Sequence, residues 1–529
     1  MKQPMVMAHS LTQLAKKLGI STTYRDAFQK QRKPSIETIT ALIQCFGFKI
    51  EREADAIEVL KYLRHESAQT CLEPVTVIWD HQTNIPITIN KHFRQDSANA
   101  TLIFEDQTSR EWKIDLANLP LTKQSKGFTK FIDLPDNIPF GYHELHIEVG
   151  NQHHVTFLIH AKTKVYSHAE DKTFGFFAPI YALPNQQSFG CGDLGDFNQL
   201  LDWTIDLGGR LIATLPLHAA FLVDHFEPSP YSPVSRLFWN ELYLDLNSIH
   251  EFQHEMLSDS KSGKESEYVN YLYAMAVKRN VLRKMVMHCL DNNNRLEQFT
   301  KFVKNHPYLI DYARFRAIDE KNQTAYPFWS TQNFDQDALN YHLYVQWQMN
   351  LQLQQLAVKA KQKNAMLYFD MPLGVNPIGF DTYQFKSSFA LAAQLGAAPD
   401  PGFPQGQKWG IPPLHPRTIR SNRYHYFIQT LRAIMPFVDL LRIDHVMGLH
   451  RLFWIPNQHN SGSFIRYFAD EFYAILSIES HRHQVSLVGE NLGTVPKIVN
   501  QRMTQHGLKK MFVLQYELDS KHKLSRHKI

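Results

Sequence analysis

Cysteine is scarce, with four residues in 529, and none of Cys45, Cys71, Cys191 and Cys289 belongs to a C-x-x-C pair. That scatter indicates neither a disulfide framework nor a zinc site, and it fits a reducing cytoplasm. Long apolar runs are missing as well. The N-terminus, Met1-Lys2-Gln3-Pro4, leads into polar residues rather than a signal-type apolar core, and no stretch is long enough to span a bilayer. The expectation is a soluble, cytoplasmic protein. A charge excess is lacking too: +5 spread over 61.6 kDa is too dilute to attract nucleic acid or a membrane by bulk electrostatics. Partners have to be argued from sites.

Histidine is plentiful, at 27 residues, yet metal-ligand spacing is absent. His153 and His154 would point to opposite faces of a strand, and His481 and His483 could share a strand face but not a helix face. Two rings fall short of the three or four ligands zinc needs, so no metal and no cofactor is expected.

What is present is an ordinary globular composition, 43% hydrophobic and 12% aromatic, in a chain long enough for several domains. Residues 1–70 read as a small helical domain, with Leu11, Leu14, Ala15 and Leu18 at helical spacing and Ser35 capping a segment that carries Ile39, Ala41, Leu42 and Ile43. Residues 14–21 resemble the first helix and turn of a helix-turn-helix, with Gly19 at the turn and a second helix due from about Ser21. Few side chains there suit base reading. From 72 to 163 the period switches to two. Val75–Trp79, Ala100–Phe104, Tyr142–Glu148 and Val155–Ile159 read as strands of a small antiparallel β-sandwich.

Beyond Lys164 the pattern becomes strand, loop, helix, repeated over 165–529. Short apolar runs at Phe174–Ile180, Leu211–Leu215, Met366–Met371, Val438–Ile443, Val485–Gly489 and Lys510–Gln515 predict six strands of a (β/α)8-type TIM barrel. Residues 247–345 predict a helical insertion, with Tyr268–Arg283 its clearest helix and Tyr341–Lys363 leading out of it. The Gly- and Pro-rich segment 376–425 is a second long excursion, of the kind that builds a substrate groove at a barrel's C-terminal face.

Two strand ends carry the chemistry. Arg442 and Asp444, two apart on a strand, share a face while Ile443 points away. The guanidinium is expected to hold Asp444 ionised, which suits a nucleophile toward an anomeric carbon. A buried pair that only braces the barrel is the alternative. Glu490 follows the apolar run Val485–Gly489, 46 residues beyond Asp444. There, burial and a nearby ionised Asp444 would raise its pKa, splitting two carboxylates into nucleophile and acid. A separation of about 5 to 5.5 Å would give a retaining mechanism.

Seven ordered strings now carry a resemblance: Ser188-Phe-Gly-Cys-Gly-Asp-Leu-Gly-Asp196, Ser229-Pro-Tyr-Ser-Pro233, Asn240-Glu-Leu-Tyr-Leu-Asp245, Asp370-Met-Pro-Leu-Gly-Val375, Gly406-Gln-Lys-Trp-Gly410, Arg442-Ile-Asp-His445 and Gly489-Glu-Asn-Leu-Gly493. The chain resembles the 4-alpha-glucanotransferases (amylomaltase, disproportionating enzyme) of glycoside hydrolase family 77, in the bacterial form with extra N-terminal domains. The resemblance implies Asp444 as nucleophile and Glu490 as general acid/base. It implies Arg442 and His445 lining the cleaved sugar's subsite, Asp370 beneath it, and the Tyr231 ring packing on the glucan. Gln407 and Trp409 resemble the family's loop over the groove, holding an acceptor sugar and excluding water. Its implied partners are α-1,4-glucans (maltodextrins) and glucose.

Two departures stand out. Asn491 occupies a position where the family has Asp, and it is expected to point away from Glu490. The family also carries a third carboxylate in a Thr-His-Asp string after another strand. No such string follows Glu490, and only 39 residues do. The sequence reading therefore expects a C-terminally truncated barrel of doubtful activity. Alternatives are an inactive glucan-binding remnant and a DNA-binding regulator acting through the N-terminal helices.

Overall fold

The computed structural model describes residues 3–89, 96–124, 127–168, 172–183, 189–257, 268–400 and 402–518. Ser188, used above, and residues 519–529 lie outside the described residues.

Three helices open the chain, Gln3–Lys17, Ile36–Cys45 and Glu53–Gln69. Ser35 Oγ accepts the Thr38 N–H at 3.2 Å and caps the second of them, as its side chain predicts. The second helix of a DNA-reading motif does not follow Gly19. Gly19 closes the first helix at φ +81°, and the chain then runs extended, Ser21 N–H donating to Phe464 O at 2.8 Å and Arg466 N–H to Gly19 O at 2.9 Å. A two-stranded ribbon, Tyr24–Arg25 with Gln31–Arg32, stands where the recognition helix was due. The open edge of a neighbouring sheet supplies backbone partners that a helix would forgo. These helices also share one continuous apolar core with the barrel: Leu14, Leu42 and Leu63 belong to the same cluster as Leu441 and Leu487.

The sandwich has a five-stranded sheet facing a three-stranded one. The expectation of an all-antiparallel sandwich needs one correction: the Gln152–Ala161 strand pairs in parallel with Val75–Trp79. The C-terminal half of that strand is buried on both faces because the sheet is covered on both. Leu158 enters the sandwich's own core, while Phe157, Ile159 and Ala161 face the large core shared with the barrel.

Six parallel strands follow in sequence order, Gly175–Phe177, Leu211–Ala213, Met366–Met371, Leu440–Ile443, Ser486–Gly489 and Lys509–Lys510, curling into a half-barrel. The outer two are shorter than the apolar runs suggested. At the far edge the chain leaves the sheet after Lys510 and turns into a short helix, Leu514–Glu517, where a strand to Gln515 was expected. Phe512, Leu514 and Tyr516 are exposed along it, so this run gains little from burial. Between the second and third strands lie the helices Tyr271–Asp291, Asn293–Asn305, Leu309–Asn322 and the 27-residue Gln336–Gln362. Among the described residues no helix is long and apolar enough to cross a membrane.

The excursion at 376–425 holds more order than its glycines and prolines suggest. Ala393–Ala397 and Gln407–Lys408 join Arg451–Pro456 and Ser463–Arg466 in a four-stranded antiparallel sheet beside the barrel mouth. The N-terminal helices back it, Phe46 stacking on Trp454 at 5.4 Å and Tyr24 meeting Phe453 and Phe464 edge-on at 5.5 Å.

Candidate active site

Strand register decides which side chains meet. Asp370 lies opposite Arg442, and Ile443 opposite Gly489, so the ends of three adjacent strands carry Asp370, Asp444 and Glu490 side by side. The backbone laces these ends together: Asp444 N–H donates to Met371 O at 3.1 Å, Glu490 N–H to Ile443 O at 3.0 Å, and Val446 N–H to Glu490 O at 3.1 Å.

Arg442 is shared between two carboxylates. Its Nη1 donates to both Asp370 oxygens at 2.7 Å and to Asp444 Oδ1 at 3.0 Å, and the Tyr231 hydroxyl donates to Asp370 Oδ2 at 2.7 Å. This changes the electrostatic expectation for Asp444. Burial raises its pKa above the usual aspartate value more than Arg442 and the backbone N–H of Leu373 lower it. The guanidinium is committed first to Asp370, whose own pKa burial pushes up to about 6 against the pull of Arg442. The two carboxylates differ in access, with 20% of the Asp444 side chain exposed against 5% of Asp370. Asp444 can meet a sugar, whereas Asp370 is closed in by Arg442 and Tyr231.

Glu490 is almost buried and held at both oxygens, Oε2 by the His445 N–H at 3.0 Å and Oε1 by the Leu492 N–H at 2.7 Å. Its pKa lies above the usual glutamate value, raised first by burial and further by the charge of Asp444, while the two N–H groups pull it down. The direction agrees with the sequence reading, although burial leads. His445 occupies the left-handed region at φ +49°, a conformation of roughly 1 to 3 kcal/mol for a residue with a Cβ, while its N–H reaches Glu490. Burial lowers its ring pKa to about 4, so the imidazole is neutral near pH 7.

The antiparallel sheet brings the remaining two residues. The Trp409 ring meets His445 edge to face, centroids 5.3 Å apart, and its Nε1–H donates to Gln407 Oε1 at 3.2 Å. All eight residues singled out from the sequence are thus linked by contacts or by adjacency in the chain. Asn491 turns away from Glu490: its amide donates to Asn500 Oδ1 and accepts the Met511 N–H, both at 3.0 Å, which ties the strand end to the following helix and strand. Sequence reasoning missed one contributor, the Tyr231 hydroxyl, whose use on Asp370 needed the fold.

A cavity of about 920 Å³ opens at the opposite end of the strands between Phe174, Arg210, Met366 and Asp439. Parallel barrels place their chemistry at the C-terminal strand ends, and the three clustered carboxylates are there. His481 and His483 lie on the Ala469–His483 helix, and among the described residues no group of three or more His, Cys, Asp or Glu is placed to hold a metal.

Comparison with known proteins decides the family. A family model described as 4-alpha-glucanotransferase matches residues 178–529, and a second, the MalQ N-terminal beta sandwich domain, matches 71–161. The chain belongs to the 4-alpha-glucanotransferases of glycoside hydrolase family 77. Relatives named 4-alpha-glucanotransferase include one from Mycobacterium tuberculosis, 28% identical over 97% of this chain and 76% of the relative, and one from Haemophilus influenzae, 28% identical over 76% of this chain and 64% of the relative. In fold the chain is similar to amylomaltase from Corynebacterium glutamicum, with a TM-score of 0.83 at 24% identity over 97% of this chain and 76% of that one. Amylomaltase from Streptococcus agalactiae in complex with acarbose gives 0.60 at 21% identity over 66% and 75%. Membership makes this family 77 chain an enzyme of glucan transfer, acting on α-1,4-glucans.

Proposed function

We propose that Asp444 is the nucleophile and Glu490 the general acid/base of a retaining transfer of α-1,4-glucan segments. In the first half-reaction an Asp444 oxygen bonds to C1 of the donor sugar while the bond from C1 to the leaving O4 breaks and Glu490 gives that oxygen its proton. In the second, the 4-hydroxyl of glucose or another glucan loses its proton to Glu490 and attacks C1, and the bond to Asp444 breaks. Arg442 and His445 line the cleaved sugar's subsite, Asp370 lies beneath it with the Tyr231 hydroxyl, and the Tyr231 ring packs against the glucan. Gln407 and Trp409 hold the acceptor and keep water from the glycosyl-enzyme, which decides transfer over hydrolysis.

One observation carries this reading: an open carboxylate, Asp444, and a buried carboxyl, Glu490, on adjacent strand ends, joined through the backbone between Asp444 and His445. It needs no metal or cofactor. The six strands are read as part of a (β/α)8 barrel, over 165–529 with its insertion at about 247–345, preceded by a helical domain at 1–70 and a sandwich at 72–163. The four cysteines, unpaired and buried, fit the cytoplasm, and nothing in this reading draws on nucleic acid or a membrane.

Incubation with maltotriose tests it. Transfer gives glucose together with a ladder of longer glucans, and Asp444→Asn or Glu490→Gln lowers the rate by roughly 10² to 10⁴ or more. Glucan binding without turnover by the unsubstituted chain would favour the inactive remnant instead.

A further inference from the structure

Between the first two helices the chain makes a small hairpin. Asp26 N–H donates to Lys30 O at 3.0 Å and Gln29 N–H to Asp26 O at 3.0 Å, closing a three-residue loop that ends on Gln29 at φ +60°. Such loops combine a type I turn, here with Ala27 at its first central position, and a left-handed residue. The Asp26 carboxylate locks the turn, accepting from the Lys30 N–H at 2.9 Å and from Arg32 Nε at 2.8 Å. None of residues 21–34 belongs to the buried apolar core, and Phe28 at the tip is 46% exposed, so packing energy gives the tip no fixed place.

The strand Gln407–Lys408 is in the same position. It is a two-residue edge strand paired only at Gly396 and Ala397, and an edge this short frays unless something else holds it. Two hydrogen-bond routes reach it from the N-terminal residues. In the first, Ala27 N–H donates to Pro399 O at 3.3 Å, two residues beyond Ala397, the partner of Gln407. In the second, the buried Thr38 hydroxyl and Ser461 Oγ share a hydrogen bond at 2.7 Å, and the neighbouring Asn460 Oδ1 accepts from Lys408 Nζ at 2.8 Å. Lys408 stands between Gln407 and Trp409, whose N–H donates to Leu395 O at 2.9 Å.

We propose that the N-terminal helices and their hairpin are a positioning element for the acceptor: Ala27 and Thr38 hold the edge strand where Gln407 and Trp409 receive a sugar and exclude water. This rests on reading Gln407 and Trp409 as the acceptor loop. The step they govern is the second half-reaction, in which a sugar hydroxyl and water compete for the glycosyl-enzyme.

The test follows maltotriose and labelled glucose with the full chain: label entering longer glucans counts transfer, and growth in free reducing ends counts hydrolysis. Ala27→Pro removes the N–H at a position where a type I turn accepts proline, and Thr38→Val removes the hydroxyl with little change of shape. Each raises the KM for glucose and the share of hydrolysis by about two- to tenfold, the range one hydrogen bond supports, while maltotriose consumption stays within about twofold. Ala27→Ser and Thr38→Ser, which keep the N–H and the hydroxyl, retain the wild-type division. Lactic acid in place of Ala27 removes only the N–H and stands in if Ala27→Pro does not fold. An unchanged division between sugar and water in these variants overturns the proposal even where total turnover falls, because a merely structural contact lowers turnover without moving the division. Trp409→Ala run alongside separates the two readings. A division unmoved in Trp409→Ala sinks the acceptor loop itself, whereas one that moves there but not in Ala27→Pro and Thr38→Val sinks only the role of the N-terminal residues.

Discussion

Asp444 and Asp370 compete for one guanidinium, and that competition sets the pH response of the site. The pKa of Asp444 stands above the ordinary aspartate value because burial outweighs Arg442, and the pKa of Glu490 stands above the ordinary glutamate value because burial and Asp444 act together. Activity that needs Asp444 ionised and Glu490 protonated is lost as pH falls through the first pKa and as pH rises through the second. Asp370→Asn removes a negative charge beside Asp444 and frees Arg442 for it, both of which favour the ionised nucleophile. A profile of kcat/KM against pH should show the acid limb moving to lower pH in Asp370→Asn, on a rate reduced by the altered contacts to Arg442 and Tyr231. An acid limb that stays in place or rises would show that Arg442 does not divide itself between the two. The eight candidate residues could be picked out of the sequence because each sits in a short string at a strand end or loop. The division of Arg442 was not, because Asp370 meets it only through the pairing of strands 72 residues apart.

The element hardest to read was the antiparallel sheet beside the barrel mouth. Ala393-Gln394-Leu395-Gly396-Ala397 is built of small, weakly strand-forming residues, and its partner Arg451–Pro456 lies beyond an entire barrel strand. Gly396 shows why small residues are needed: a Cβ there would lie 2.1 Å from Gln407 O and 2.8 Å from Ile455 Cδ1. Gly396→Ala must spread the ribbon that carries Gln407 and Trp409, at a cost of roughly 1 to 3 kcal/mol. The expected outcome is a larger share of hydrolysis relative to transfer and a higher KM for the acceptor glucose, measured by free reducing ends against chain-length distribution. An unchanged ratio would mean that this ribbon does not guard the glycosyl-enzyme. The N-terminal turn was misread for a related reason. A helix followed by Gly19 has the spacing of a DNA-reading motif, but the next residues found a strand edge rather than a second helix.

At the scale of the whole molecule, the sandwich is fastened to the barrel through Glu479, whose side chain is fully buried. Tyr142 of the sandwich donates to Glu479 Oε1 at 2.8 Å, and Arg432 and Arg482 pair with the same carboxylate. Against burial, which raises it, hydrogen bonds from His483, Arg432 and Tyr142 and the charge of Arg432 bring its pKa down to about 2. A carboxyl depressed in the folded state contributes stability that is complete above its unfolded pKa, near 4.3, and fades as pH falls toward 2. The contribution at neutral pH is on the order of 3 kcal/mol. Chemical denaturation across that range should show the wild-type chain losing stability faster than Glu479→Gln as pH drops, with the two converging at the acid end. Parallel curves would place the depressed pKa in the unfolded state too and remove Glu479 as the fastener.

The amino-acid sequence by itself determined the local order: apolar runs with period two or 3.6, caps such as Ser35, and acids at strand ends, since each depends on neighbours within a few residues. Six parallel strands and the family 77 strings were therefore readable in order along the chain. The tertiary structure alone decided which strand ends lie together, which carboxylate Arg442 serves first, and that the N-terminal helices share the barrel's core. These outcomes depend on pairing and burial between segments tens to hundreds of residues apart, and burial is what moves a carboxyl away from its solution pKa.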